Sequence, residues 1–233
     1  KADIVFVTAQ RLLETKKPLN PETFLIPHGV DYAHFSTALD ERVEPAGEMR
    51  GIARPVLGFI GVVHHWLDLD LLEYVVCTRP DWNLVLIGDV RVDVSRFSGY
   101  TNVHFLGRRP YSDLPRYCKA MNVALIPFLV NELTLAVNPI KLREYLCAGL
   151  PVVSTNLPES VPYEPDCRVA RTPEEFVRHI EMILKEDSPD KRKARSLKMR
   201  TETWEHKAEE IEAILARSRK AAKKEGMVQD QLP

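Results

Sequence analysis

VNPIKLREYLCAGLPVVST, residues 137–155, reads as a helix delivered between two strands. Asn138 is a favoured helix N-cap, and Pro139 suits the first helical position, where a missing N–H costs nothing. Gly149 suits the left-handed residue after a last turn, and Pro151 forbids further helix. The stretch therefore predicts a helix over Pro139–Ala148, entered from an apolar run at Val123–Phe128 and leaving into a strand at Val152–Ser154.

The same alternation extends outward. Short apolar runs recur at Ile4–Val7, Phe24–Ile26, Val56–Val63, Leu84–Ile87 and Val103–Leu106. Several are apolar on both sides of any pleat, as in strands covered by helices on two faces. Helix signals fall between them. Asp68 is placed to cap Leu69–Cys77, Ser112 to cap Asp113–Ala120, and Thr172-Pro173-Glu174-Glu175 is a capping box opening Phe176–Leu184. Strand–helix alternation with short connections predicts an α/β fold with a doubly wound parallel sheet. Three regions differ. Residues 1–35 read strand, helix (Arg11–Lys17), strand and a Pro27-His28-Gly29 turn. Residues 36–54 are polar and read as a linker or long surface loop. After Asp187 the chain is charged and helical, with Trp204, Ala208, Ile211, Ile214 and Leu215 on one face of a last amphipathic helix, and residues 218–233 read as a frayed tail.

Composition excludes several classes of function. Of 233 residues, 45% are hydrophobic and 28% charged, which fits a globular chain rather than a disordered one. Lys+Arg number 32 against 33 Asp+Glu, so the near-neutral chain has no basic field to recruit nucleic acid. The longest apolar runs, Val56–Val63 and Val123–Val130, fall far short of a membrane span. The acidic and basic mixture near the C-terminus favours a solvated helix face, with at most peripheral attraction to anionic lipid beyond Arg217. Cys77, Cys118, Cys147 and Cys167 show no C-x-x-C spacing and read as reduced core thiols of a cytoplasmic protein. The opening KADIVFVTAQ is already strand-like, with no signal-peptide pattern, so the chain is expected to begin mid-fold.

In an open α/β sheet, a helix entered from a strand's carboxyl end points its N-terminus into the ligand crevice. Free N–H groups in the first turn, at Ile140 and Lys141, and the positive dipole end favour a phosphate there, the dipole alone contributing ~0.3–2 kcal/mol. Lys141 adds a mobile cation. Glu144, three residues on, shares its face and can accept bonds from both hydroxyls of a ribose. The bland alternative is an ordinary exposed i,i+3 pair. Gly61 either eases strand–turn packing or lets backbone approach a phosphate closely. His64 and His65, with Asp68 and Asp70 nearby, hint at a metal. Adjacent residues on an extended chain face opposite ways, however, and Asp68 is better used as a cap, so no metal site is expected. One of the two histidines, His64 first, can instead contact phosphate or sugar. Gly107-Arg108-Arg109-Pro110 is either a solvated basic turn or the place where a nucleotide base lies against backbone.

KLREYLCAGLPVVST resembles the nucleotide-sugar motif of GT-B glycosyltransferases of the family 4 type, whose usual form ends E-A-x-A-x-G-x-P-V-V. ADIVFVTAQ…TFLIPHGVDYAHF resembles that family's crossing between domains, and RPVLGFIGVVHHWLDLDLL the first strand and glycine turn of its donor domain. NVHFLGRRPYSDLPRYCKAMNVALIPF and TWEHKAEEI resemble the base-contacting segment and the helix that returns across the cleft. The resemblance covers the chain to about Arg217. It implies the end of a truncated N-terminal acceptor domain at 1–35, a linker at 36–54, a Rossmann-like donor domain at 55–200 and a returning helix at 201–217. It further implies transfer from a UDP- or GDP-type sugar, usually with retention, to an unidentified acceptor, without cofactor or metal, and commonly in cell-surface polysaccharide assembly. The main catalytic residues would precede Lys1, leaving a fragment of little or no activity. Glu144 matches the second glutamate of the family's E-x7-E pair, expected on the ribose. The first falls at Ala136, leaving the backbone of Leu133–Val137, Glu132 or Asn138 as substitutes on the sugar. The family's basic pair is also absent after Gly61, which makes Lys141, then Arg108 or Arg109, the candidates to offset charge on the diphosphate. Both departures fit a non-catalytic nucleotide-sugar-binding module as the alternative. An epimerase ranks below both, because no suitably placed carboxylate pair is evident.

Overall fold

Runs apolar on both pleat faces must be covered twice, and the chain achieves this with helices on either side of one sheet. In the computed structural model, which describes residues 2–229, the elements are β1 (Val5–Val7), α1 (Gln10–Lys16), β2 (Thr23–Leu25), α2 (Tyr32–Phe35), β3 (Val56–Ile60), α3 (Leu69–Thr78), β4 (Asn83–Ile87) and β5 (Val103–Gly107), then α4 (Leu114–Ala120), β6 (Val123–Ile126), α5 (Ile140–Cys147), β7 (Val152–Thr155), β8 (Cys167–Ala170), α6 (Pro173–Glu186), α7 (Pro189–Lys198) and α8 (Trp204–Gln229). Strands β3 to β8 form one sheet in the order β5-β4-β3-β6-β7-β8, every pair parallel. Counted in chain order within that sheet this is 3-2-1-4-5-6, so the winding reverses between β3 and β6. The crevice outside the carboxyl ends of those two strands is where such a sheet leaves room for a ligand. Strands β1 and β2 pair separately, parallel, with Val5 opposite Thr23.

Period-two alternation divides the core. Val56, Ile60, Val85, Ile87, Ala124 and Ile126 pack toward α4 and α5 with Tyr117, Tyr145 and Leu146. Leu57, Phe59, Leu84, Leu86, Val123 and Leu125 pack toward α3 and α6 with Leu72, Val76, Phe176 and Ile180. The expected doubly wound α/β class is the observed one.

Helix ends follow the sequence signals in part. Asp68 accepts from the Leu71 amide at 2.9 Å and so caps α3. Thr172 caps α6, while Glu175 reaches back to the Arg171 amide at 2.8 Å. Gly149 holds the left-handed φ of 78° expected after α5. Ser112 does not cap α4, which instead starts at Leu114 after a 3-10 turn over Tyr111–Asp113. The polar segment 36–54, expected as a linker, packs down: Ala38, Ala46 and Met49 are buried in the core. Only three residues of the segment are buried, two of them alanines, too few for a composition window to register. Cys118, Cys147 and Cys167 are buried as expected, whereas Cys77 is exposed.

The last helix keeps its expected face at Ile211, Ile214 and Leu215, which are half-buried or buried, but not in its first turns. There Thr203 and Lys207 are buried, while Trp204 is 45% exposed and Ala208 is exposed. Apolar periodicity misled here because the buried lysine reads as polar; its ammonium is paired with Glu202 and Glu210 at 3.7 and 3.2 Å. Helix α8 continues to Gln229, past the point where fraying was expected; residues 230–233 of that expected tail lie outside the described residues. Among the described residues, no helix is long and apolar enough to cross a membrane.

Tyr145 ties α5 to the sheet: its buried hydroxyl accepts from the Ile60 amide at 2.7 Å, at the carboxyl end of β3. Tyr145→Phe removes that acceptor and leaves a buried N–H unpaired, so chemical denaturation is expected to show a loss of about 1–3 kcal/mol. The pH dependence has a definite sign. Burial lowers the pKa of His28, His104 and His179, with Arg143 adding to the effect at His28. The unfolded chain therefore binds more protons than the native one as pH falls through the ordinary histidine value and below, and stability is lost in that window. Thermal melts are expected to give a lower Tm at about pH 5 than at about pH 7.

Candidate functional site at the sheet's switch point

Of the six loops at the carboxyl rim of the sheet, those after β3, β4, β5 and β6 carry the candidate residues. After β3, the Gly61 amide donates to the Ile87 carbonyl at 2.8 Å, extending the ladder by one residue. Gly88, which sequence reasoning did not single out, fits against it: a Cβ on Gly88 would lie 1.9 Å from the Gly61 carbonyl oxygen, and its φ is +149°. The two turns therefore interlock through bare backbone. Beyond them His64 stacks on Trp66, with ring centroids 4.2 Å apart and planes at 9°, and its Nδ1 accepts from the His65 amide at 2.9 Å. Among the described residues, no group of three or more His, Cys, Asp or Glu is placed to hold a metal ion.

After β5, Gly107 adopts φ +69° with open space where a side chain would stand. Arg108 is exposed. Arg109 is committed elsewhere: its guanidinium pairs with Glu48 at 2.5 Å and donates to the Tyr117 hydroxyl at 2.9 Å. It is thus tied to the 36–54 segment rather than free to meet a diphosphate. Tyr111, next in the chain after Pro110, was missed. It is 50% exposed and stacks on His34 at 4.6 Å. Burial, then the charges of Glu144 and Asp31, push its hydroxyl up to about 12. An aromatic following a Gly-Arg-Arg-Pro turn is the sequence signal that marked it.

The loop from β6 to α5 carries the rest. Thr134 is buried and its hydroxyl donates to the Leu129 carbonyl, closing a 3-10 turn over Thr134–Ala136. Ala136 is half-buried there, and Glu132 pairs with Arg11 on α1. The expected N-cap does not form. Helix α5 starts at Ile140, with Pro139 at the cap position and no side chain on the first-turn amides. Asn138 is buried and commits its amide to Glu159 and Arg143 instead. The first turn of α5 is thus left uncapped by side chains, with Ile140 and Lys141 half-buried at its opening. Lys141 Nζ lies 2.7 Å from Glu144 Oε2, and the Glu144 side chain is only 6% exposed. This is no ordinary surface pair: a carboxylate so enclosed has lost most of its water, and the lysine is the cation that compensates it. A groove of about 440 Å³ is lined by Arg54, Lys119, Asn122 and Arg192 and so lies at the opposite, amino ends of β3 and β6.

Comparison with known proteins agrees with this fold. Residues 54–186 match the profile of the Glycosyl transferases group 1 family. The putative teichuronic acid biosynthesis glycosyltransferase TuaH of Bacillus subtilis (strain 168) is 28% identical over 188 residues, 77% of this chain and 47% of TuaH. The chain thus spans about half the length of that relative. Among solved structures, sucrose-phosphate synthase from Thermosynechococcus elongatus superposes with a TM-score of 0.71 at 19% identity, over 95% of this chain and 59% of that one. Anabaena HepE, solved in complex with UDP-glucose, gives 0.71 at 15% identity, over 93% and 64%.

The two rim glycines are expected to differ under substitution. Gly107→Ala meets open space and incurs only the left-handed backbone penalty, about 1–2 kcal/mol. Gly88→Ala must also displace the Gly61 backbone, and urea unfolding is expected to show the larger loss, about 2–4 kcal/mol.

Proposed function

The chain belongs to the Glycosyl transferases group 1 family, and on that premise we propose that it is the donor-binding half of a family-4-type GT-B glycosyltransferase using a UDP- or GDP-sugar. The observation that carries this reading is the side-chain-free first turn of α5, opening at the switch point beside an enclosed Lys141–Glu144 pair. A diphosphate docked there accepts from the Ile140 and Lys141 amides and meets the dipole's positive end. Lys141 turns from Glu144 to the phosphate, and Glu144, relieved of its cation, accepts from the ribose hydroxyls. Each charge then keeps a partner, which a desolvated site requires. Gly61 brings backbone near the phosphates, His64 faces the sugar side, and the Gly107–Arg108 turn with Tyr111 offers backbone and ring to the base.

In the transfer, the bond between the anomeric carbon and the diphosphate oxygen breaks, and a bond to an acceptor oxygen forms as that oxygen passes its proton to the departing diphosphate. Charge develops on the leaving diphosphate, where Lys141 and the fixed amides stabilise it without reorganisation. The reaction on this reading needs no cofactor, and retention and an acceptor (a sugar, a lipid-linked sugar or another) in cell-surface polymer assembly belong to the same proposal. Helix α1 and the β1–β2 pair then form the edge of an acceptor-binding lobe.

A second reading, a nucleotide-sugar-binding module without transfer, is favoured by Ala136, which puts a methyl group where a glutamate would meet the sugar, and by the engagement of Arg109 with Glu48. Sustained nucleotide release by the full-length protein with acceptor present supports transfer; tight binding without release supports the module.

Calorimetric titration of UDP and GDP tests the site itself. Glu144→Ala and Lys141→Ala are each expected to weaken the preferred nucleotide by about tenfold or more, the scale of one charge-assisted hydrogen bond. Affinity unchanged in Glu144→Ala removes the ribose assignment.

A further inference from the structure

Asn138 leaves its expected capping role for a chain of hydrogen bonds that starts in the core and converges on the half-buried carboxylate of Glu159. Arg143 Nη1 donates to Asn138 Oδ1 at 2.7 Å, and Asn138 Nδ2 donates to Glu159 Oε2 at 2.6 Å. The other oxygen, Glu159 Oε1, accepts from the backbone amide of Gln10 at 2.7 Å. Asn138 and Arg143 are 4% and 2% exposed. A guanidinium only donates and a carboxylate only accepts, so a residue bridging them must accept at one end and donate at the other. An asparagine amide does both, and its orientation is thereby fixed.

The ends of the chain of bonds matter as much as its middle. Gln10 is the first residue of α1, whose own cap position, Ala9, supplies no side-chain bond. Glu159, 149 residues away, therefore meets an otherwise orphaned amide at that helix's positive end. Asn138 lies two residues before α5, and Arg143 lies within it. Arg143 is held in turn by Glu202 at 3.4 Å and sits 5.2 Å from the Tyr163 ring centroid. Glu202 also accepts the Val30 amide through its backbone carbonyl at 2.8 Å. The path thus joins α1, the start of α5 and the segment entering α8.

We propose that Asn138 and Glu159 are positioning residues of a polarity-matched relay that couples helix α1 to the nucleotide-facing start of α5. The relay rests on geometry alone; its consequence for ligand binding rests on the function proposed above. Nucleotide binding at α5 fixes the Asn138 backbone, and the relay passes that order to α1. By linkage, anything that holds α1 in place raises nucleotide affinity by the same factor.

Polarity reversal provides the test. Asn138→Asp sets two carboxylates face to face. Glu159→Gln, isosteric at a half-buried position, either turns its amide nitrogen toward that of Asn138 or abandons Gln10. The double variant restores the match, because the introduced aspartate would accept from both Arg143 and the new glutamine, whose oxygen still accepts from Gln10, with net charge unchanged. Site-resolved amide exchange is measured on the full chain without ligand. The Gln10 amide is expected to exchange about tenfold faster in each single variant and within about threefold of wild type in the double. An Asn138→Asp rate within about twofold of wild type, or a double variant as fast as the faster single, overturns the relay. Saturating UDP is then expected to slow Gln10 exchange in wild type and not in Glu159→Gln. Binding of UDP that leaves the wild-type Gln10 rate unmoved overturns the coupling. If titration finds no UDP or GDP binding at all, the functional reading fails, and restoration in the ligand-free double variant still supports the relay.

Discussion

A carboxylate at 6% exposure with one lysine for a partner constrains everything around it. Glu144 is tolerable in the core's edge only because Lys141, three residues earlier on α5, holds its charge at 2.7 Å. That pair requires α5 to begin where it does, with its first turn at the crevice and its length running back beneath β3 and β6. The surrounding structure enforces this start. Tyr145 anchors the helix to the Ile60 amide, Pro139 stands at the cap position without supplying a side-chain bond, and Gly149 with Pro151 ends the helix before β7. The result is a cation, two amides and a masked carboxylate presented together at the sheet's switch point.

Much of the fold was legible because its signals are local. Apolar runs located the main-sheet strands β3 to β7 within a few residues. Strand β8, Cys167–Ala170, escaped notice because Arg168 interrupts its short apolar pattern. Asp68, Thr172 and Gly149 marked helix ends through chemistry contained in three or four positions. Elsewhere a long-range partner displaced the local one. Asn138 is a good cap by sequence, yet Glu159 and Arg143 claim its amide. Arg109 looked free in its turn, but Glu48 lies 61 residues earlier and no pattern links them. Lys207 was counted as polar surface and is buried between two glutamates.

The candidate site was legible to the same extent. The Lys141–Glu144 spacing follows directly from helical geometry, and only the structure shows the enclosure that lifts it above a surface pair. Gly88 was invisible because its role is to accommodate the Gly61 carbonyl, a contact between two turns. Tyr111 stood next to a noted motif and acquires significance from its stack on His34 and from the charge of Glu144. What the linear sequence carries well is which groups exist at the rim; what it carries poorly is which of them are already engaged.

A crystal structure of the chain with its preferred nucleotide, UDP or GDP, is the most direct measurement. The account predicts diphosphate oxygens within hydrogen-bond reach of the Ile140 and Lys141 amides, Lys141 swung off Glu144, and both ribose hydroxyls on the Glu144 carboxylate. A nucleotide seated in the groove at the amino ends of β3 and β6, or a Lys141–Glu144 pair unbroken with ligand bound, would contradict it.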